Sequence, residues 1–147
     1  MKVYIASPFF NKEQLGFVIE IEDALDEIGV NYFSPRTEGV LINMSEQERK
    51  DRMKEIFDSN ISHMKECEIV IANIDDRDIG VAFELGFQYA KKKAIFSISN
   101  NNYQINVMLK QSIMSHNTNI KGLMDNIKEF INGDELTMHD TITNDVT

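Results

Sequence analysis

The sequence predicts an α/β protein, a three-layer sandwich with a mostly parallel central sheet and helices on both faces. Two observations carry this. Short apolar runs rich in β-branched residues alternate along the chain with longer stretches of helical periodicity. The apolar runs, such as Val3-Tyr4-Ile5-Ala6 and Ile69-Val70-Ile71-Ala72, are continuous, as expected of strands buried on both faces. The length of 147 residues fits one domain.

Taken in order, Lys2 to Ala6 reads as a buried strand that Ser7-Pro8 breaks. From Lys12 to Ile28, Leu15, Val18, Ile21, Ala24, Leu25 and Ile28 recur at helical spacing, and Gly29 supplies the stop. Val30 to Phe33 is a second short strand, ended by Ser34-Pro35, and residues 36–44 read as a loop. Ser45 and Glu48 form a capping box that opens a helix running to about Lys65. Glu68 to Asn73 is the clearest strand. An acidic loop with Asp75, Asp76 and Asp78 leads into a helix from about Gly80 to Lys91, and Ala94 to Ser99 is a fourth strand. Two helical stretches follow, near Tyr103–Met114 and Ile120–Ile131. Residues 1–132 are thus expected to form a single domain. Residues 133–147 are polar, with few large apolar side chains, and are expected to be a mobile tail.

The formal net charge is −9, which argues against a nucleic-acid polymer as partner, because such binding draws on Lys and Arg. An uncharged nucleoside remains compatible. No apolar run approaches the ~20 residues of a membrane span. The chain opens without a secretory apolar region, and Cys67 is its single cysteine, so a cytoplasmic location is expected. His63, His116 and His139 fall in no metal-binding pattern, and no glycine-rich phosphate loop occurs. No metal and no cofactor are expected.

Ligands of parallel α/β sheets bind beyond the carboxyl ends of the strands, which selects Ser7–Phe10, Ser34–Arg36 and Ile74–Glu84. Glu84 lies early in a helix, whose N-terminus favours an ionised carboxylate by roughly 0.3–1 kcal/mol. A carboxylate can attack an anomeric carbon and form a glycosyl ester. From spacing alone a solvated helix-start glutamate is the more frequent outcome, although Phe83, Leu85 and Phe87 surround Glu84 with apolar bulk. Asp75, Asp76 and Asp78 could hydrogen-bond a base or form a solvated loop, with Asp78 as helix N-cap. Phe9 and Phe10 could stack on a base, with core packing the expected fate of at least one. The Tyr4 hydroxyl could orient a carboxylate or satisfy a backbone group.

Two stretches together resemble the nucleoside 2-deoxyribosyltransferases: Met1 to Asn11 with Phe33-Ser34-Pro35-Arg36, and Asp78-Ile79-Gly80-Val81-Ala82-Phe83-Glu84-Leu85-Gly86, similar to that family's D-x-G-x-x-x-E-L-G segment. Ile105-Asn106-Val107-Met108 is similar to its I-N-L-M segment. The resemblance spans roughly Met1 to Met114. It implies a flavodoxin-like fold and cofactor-free transfer of 2-deoxyribose from a deoxynucleoside to a free nucleobase through a covalent intermediate. It makes Glu84 the nucleophile, Tyr4 its holder, Phe9 a wall of the base pocket and Asp78 a neighbour of the base. Asn106 and Met108 would come from a neighbouring subunit to the sugar's 5′ end, giving a homo-oligomer with composite sites.

One position departs from the family. Where an aspartate is usual on the helix before the third strand, this chain has Asn60, and an amide cannot donate and recover a titrating proton. Turnover would then be slow or would lean on Asp78 or Asp58. The alternatives are an N-glycosidase that hands the sugar to water, and a nucleoside- or nucleotide-binding protein with weak turnover. A related branch hydrolyses deoxynucleoside 5′-monophosphates and is serine-rich where phosphate sits. Here two such positions are Asp78 and Asn106, which favours a free nucleoside, since a carboxylate repels phosphate.

Overall fold

The computed structural model describes residues 1–39, 41–101 and 105–138. Five strands, β1 (Lys2–Ala6), β2 (Asn31–Phe33), β3 (Ile69–Asn73), β4 (Ala94–Ile98) and β5 (Ser115–Asn117), form one parallel sheet in the order β2-β1-β3-β4-β5. Between and after them run α1 (Lys12–Glu27), α2 (Glu46–Glu66), α3 (Ile79–Ala90), α4 (Val107–Ser112) and α5 (Ile120–Asn132). This is the expected three-layer α/β sandwich.

Strand alternation divides the core in two. Val3, Ile5, Ile69, Ile71, Phe96 and Ile98 pack against α1 and α5 through Ile21, Leu25, Leu123 and Ile127. Tyr4, Ala6, Val70, Ala72 and Ile95 face the other layer, against Met64 of α2 and Val81 and Leu85 of α3. Each fully buried aliphatic side chain contributes about 1.5–3 kcal/mol. In register, Tyr4 lies beside Val70 and Ala6 beside Ala72. Two small residues therefore end the central strands on the Tyr4 face and leave room above it.

The terminators act as expected. Gly29 and Gly133 take left-handed conformations (φ 75° each) after α1 and α5, and the Ser45–Glu48 capping box is reciprocal. Three regions differ from the sequence reading. Residues 35–38 form a 3-10 turn rather than open loop. The stretch expected to be helical from Tyr103 to Met114 holds only α4 among its described residues, with Asn106 as N-cap; Tyr103 itself lies outside them. The fifth strand was missed, because Ser115-His116-Asn117 carries no apolar or β-branched signal. It is nonetheless buried and held by polar partners: Ser97 Oγ lies 2.7 Å from His116 Nδ1, and Ser115 Oγ donates to Asn126 Oδ1 at 2.5 Å. The stretch from Gly133 does not leave the body at once. Thr137 N and Oγ1 donate to Glu129, and its carbonyl accepts from Asn126 Nδ2. The rest of the expected tail, with His139, lies outside the described residues.

Candidate active site

Tyr4 sits in the middle of β1, fully buried, and Glu84 lies in the second turn of α3 above it. Val81, Leu85 and Gln88 turn that helix's buried face to the sheet. Glu84 is half-buried as a residue, but its Oε2 is sealed from solvent, and so is Tyr4 Oη. Neither atom is in a hydrogen bond of normal geometry, yet each shifts the other's proton affinity. Burial pushes the Glu84 carboxyl up to about 7; the Tyr4 hydroxyl holds it down, and the charge of Asp78 adds to the rise. Burial, then the Glu84 charge, pushes the Tyr4 phenol far above its usual range.

This corrects the sequence reading in two respects. Glu84 is not a solvated helix-start residue. Its environment also does not favour the ionised form: desolvation outweighs the modest pull of the helix N-terminus.

Asn60 Oδ1, on α2, is a third sealed polar atom without a hydrogen-bond partner. One turn on, Met64 packs into the same core layer as Tyr4, Val81 and Leu85, so Asn60 shares α2's inward face. Buried polar groups are normally bonded. Tyr4 Oη, Asn60 Oδ1 and Glu84 Oε2, on β1, α2 and α3, are all unbonded in this layer, as is Gln88 Oε1 on the buried face of α3. Asp58, the alternative proton source on α2, is turned away: it is exposed and paired with Lys54 at 2.6 Å.

Asp78 is the N-cap of α3, with Oδ1 accepting from Val81 N at 2.9 Å. A Cβ at Gly80 would crowd the same oxygen, at 3.0 Å. Asp75, expected in a solvated loop, is buried. Its carboxylate accepts from Ser99 Oγ at 2.6 Å and from the backbone of Asn100 and Asn101 at 2.9 and 3.2 Å, tying the end of β3 to the loop after β4. Asp76 accepts from Gln14 Nε2 at 2.9 Å.

Phe9 and Phe10 stack on each other with ring centroids 4.9 Å apart. Neither joins the core: Phe9 is half-buried and Phe10 is 75% exposed. The expectation that one of them packs inside is thus not met, and both line the end of β1. Arg36 and Glu38 are engaged elsewhere, Arg36 in a two-pronged pair with the buried Glu22 of α1 (2.5 and 3.0 Å) and Glu38 with Ser59 Oγ of α2 (2.7 Å).

Asn106 and Met108 are exposed at the start of α4, where Asn106 Oδ1 accepts from Met108 N at 2.8 Å. They line a groove of about 600 Å³ between α3 and α4, with Asp78, Ala82, Leu85 and Tyr89. Glu84, Tyr4, Asn60 and Phe9 do not line it. Within one chain the structure therefore gathers Tyr4, Glu84 and Asn60 in one layer and leaves Asn106 and Met108 on a different surface. Sequence reasoning overlooked Gln14, although Asn11-Lys12-Glu13-Gln14 has the spacing of an N-cap and its third-position amide.

A parallel α/β sheet with a carboxylate over its central strand, one oxygen sealed and unbonded and its proton affinity raised by burial, defines an enzyme-like site. Residues 3–129 match the nucleoside 2-deoxyribosyltransferase family, and the chain belongs to it. It is 29% identical to a 2-deoxyribosyltransferase from Bacillus psychrosaccharolyticus, with a TM-score of 0.74 over 85% of this chain and 91% of that one. A protein of Thermofilum pendens named as a 2′-deoxynucleoside 5′-phosphate N-hydrolase is 25% identical over 100 residues, 67% of this chain and 68% of its own. A 2-desoxiribosyltransferase from Leishmania mexicana, 23% identical, shares the fold with a TM-score of 0.53, covering 70% of this chain and 67% of that one.

Proposed function

We propose that this enzyme transfers 2-deoxyribose between nucleobases, with Glu84 as the covalent nucleophile. The observation that carries the reading is Glu84 Oε2, sealed from solvent, unbonded and coupled to Tyr4, in a member of this family. In its ionised form Glu84 attacks C1′ of a deoxynucleoside. The C1′–N bond breaks, its electron pair leaves with the base, and that base takes a proton from a water molecule that the Asp78 carboxylate can hold. The glycosyl ester is then opened at C1′ by a nitrogen of a second base, whose N–H proton passes to water, and the carboxylate is restored. Tyr4 orients Glu84, Phe9 and Phe10 offer ring faces to the base, and Asn60 gives or accepts a hydrogen bond without titrating. A free nucleoside fits better than a monophosphate, because the Asp78 carboxylate stands close to the site.

The site is completed by a second copy of the chain. Glu84 and Gln88 are the only strongly polar side chains on α3, so the helix is apolar nearly all round. Such a helix is expected to be covered, yet in one chain Ile79, Phe83 and Tyr89 are exposed beside Val107 and Met108 of α4. A second copy seated on this surface would bring its own Asn106 and Met108 toward Glu84.

A second reading, hydrolysis with water in place of the acceptor base, is favoured by the named activity of the Thermofilum relative. One experiment separates the readings: incubation with one deoxynucleoside and a different free base, followed by chromatography. Exchanged nucleoside supports transfer. Free sugar regardless of acceptor establishes hydrolysis instead. Bound but unchanged nucleoside overturns both readings and leaves a binding protein.

A further inference from the structure

The carboxyl ends of the neighbouring central strands β1 and β3 carry two loops. One holds the stacked pair Phe9–Phe10; the other runs through Asp75 and Asp76 to Asp78. The Asn73 amide joins their bases, donating to Ser7 Oγ and accepting from Asp75 N at 3.0 Å each, and a second amide joins them farther out. Gln14, at the third position of α1, accepts from Phe10 N through Oε1 at 2.9 Å and donates from Nε2 to Asp76 Oδ2 at 2.9 Å. Its own N–H is bound by the N-cap, Asn11 Oδ1, at 2.8 Å, which fixes the base of the side chain.

Both loops need fixing. Asp76 and Arg77 are consecutive non-glycine residues with positive φ, 64° and 50°. That region is sparsely populated by such residues and persists only where neighbours hold it. Phe10 is 75% exposed, so packing alone does not set the direction of its ring.

The chemistry selects an amide. The bridging group must accept from an N–H and donate to a carboxylate at once. Glutamine does both; glutamate only accepts, and would face Asp76 charge to charge. We propose that Gln14 is a positioning residue that sets the aperture for the nucleobase by latching the Phe9–Phe10 lip to the Asp76–Asp78 loop. The assignment rests on the deoxyribosyl-transfer reading above.

A plain capping role makes a different forecast. Glutamate is as good as glutamine at the third position of a capping box, so a cap alone would leave Gln14→Glu unaffected. The latch requires that Gln14→Glu raise KM for the deoxynucleoside about fivefold, the scale of one lost hydrogen bond to a charged group at a partly exposed site, with a much smaller change in kcat. Adding Asp76→Asn swaps donor and acceptor across the pair, and asparagine suits the left-handed backbone there. The double variant should bring KM back to within about twofold of wild type. A Gln14→Glu enzyme with unchanged KM, or a double variant that fails to recover, overturns the latch.

Amide hydrogen exchange without substrate decides independently of turnover. Gln14→Glu should speed exchange across residues 76–78 about fivefold, and Asp76→Asn should reverse it. If the wild-type chain acts on no deoxynucleoside, the transfer reading and the aperture role fall together, while the exchange result still decides whether the latch exists. Unchanged exchange in Gln14→Glu refutes the latch whatever the activity.

Discussion

Replacing Glu84 by glutamine should stabilise the protein, and only at neutral and alkaline pH. In the folded chain burial raises this carboxyl from 4.5 to about 7. Between those values the folded state binds a proton that the unfolded state has released, so stability falls as pH rises through the window. Below about pH 4.5 both states hold the proton and the burden vanishes. Above about pH 7 both are ionised and the folded state carries the whole cost of a desolvated charge. At about 1.4 kcal/mol per pH unit this amounts to about 3 kcal/mol, an upper figure because relaxation around a half-buried residue lowers it. Glutamine keeps the shape and never ionises. Urea denaturation of wild type and Glu84→Gln at pH 4.5 and pH 8 should therefore show the variant gaining about 2–3 kcal/mol relative to wild type at the higher pH, or roughly 5–10 °C in Tm. Any constant effect of the amide cancels, since the decisive quantity is the change in that difference with pH. A difference that is the same at both pH values would refute the argument that Glu84 is held in a desolvated state.

The remaining expectations concern turnover. If Glu84 is the nucleophile it must be ionised, so kcat/KM should rise about tenfold per pH unit toward a midpoint near 7. Tyr4→Phe removes the hydroxyl that holds the carboxyl down; its profile should shift to higher pH, with a loss of about tenfold at pH 7 that shrinks in alkaline buffer. A loss independent of pH would assign Tyr4 a purely structural role. Glu84→Ala and Asn106→Ala should each be inactive or nearly so, yet their mixture, if the assembly is a dimer that exchanges subunits, should recover about one quarter of wild-type activity through mixed sites. No recovery after verified subunit exchange would place Asn106 outside the partner's site.

The layers of the fold were legible because its apolar strands and helix-terminating glycines are local signals. Residues 115–117 were not, since that strand owes its place to polar partners on β4 and α5 that no window of sequence contains. Within the site the sequence reading singled out Tyr4, Glu84 and Asn60, which the fold gathers in one layer, but it misjudged their electrostatics. The distance of Glu84 from the helix start is visible in the sequence; the burial that outweighs it is set by packing between elements, which no window of sequence contains. The same limit hid Asp75 and Gln14. An acidic loop reads as solvated until its hydrogen-bond donors, supplied by residues 99–101 and by the start of α1, are in place.

These features combine into one tension. On the proposed reading, the pH range in which Glu84 attacks is the range in which its charge destabilises the fold. Ligand binding is what can relieve it: a sugar brought against Glu84 and Asn60 offers hydroxyl donors to sealed acceptors that have none in the free chain. The raised proton affinity also sharpens the carboxylate, because a desolvated, more basic oxygen is the better nucleophile toward an electron-poor C1′. Replacing Asn60 with aspartate would set a second carboxyl in the same layer and raise Glu84 further. On the transfer reading, an amide at position 60 leaves Glu84 ionisable near neutral pH, at the cost of a second proton donor, and the leaving base takes its proton from water.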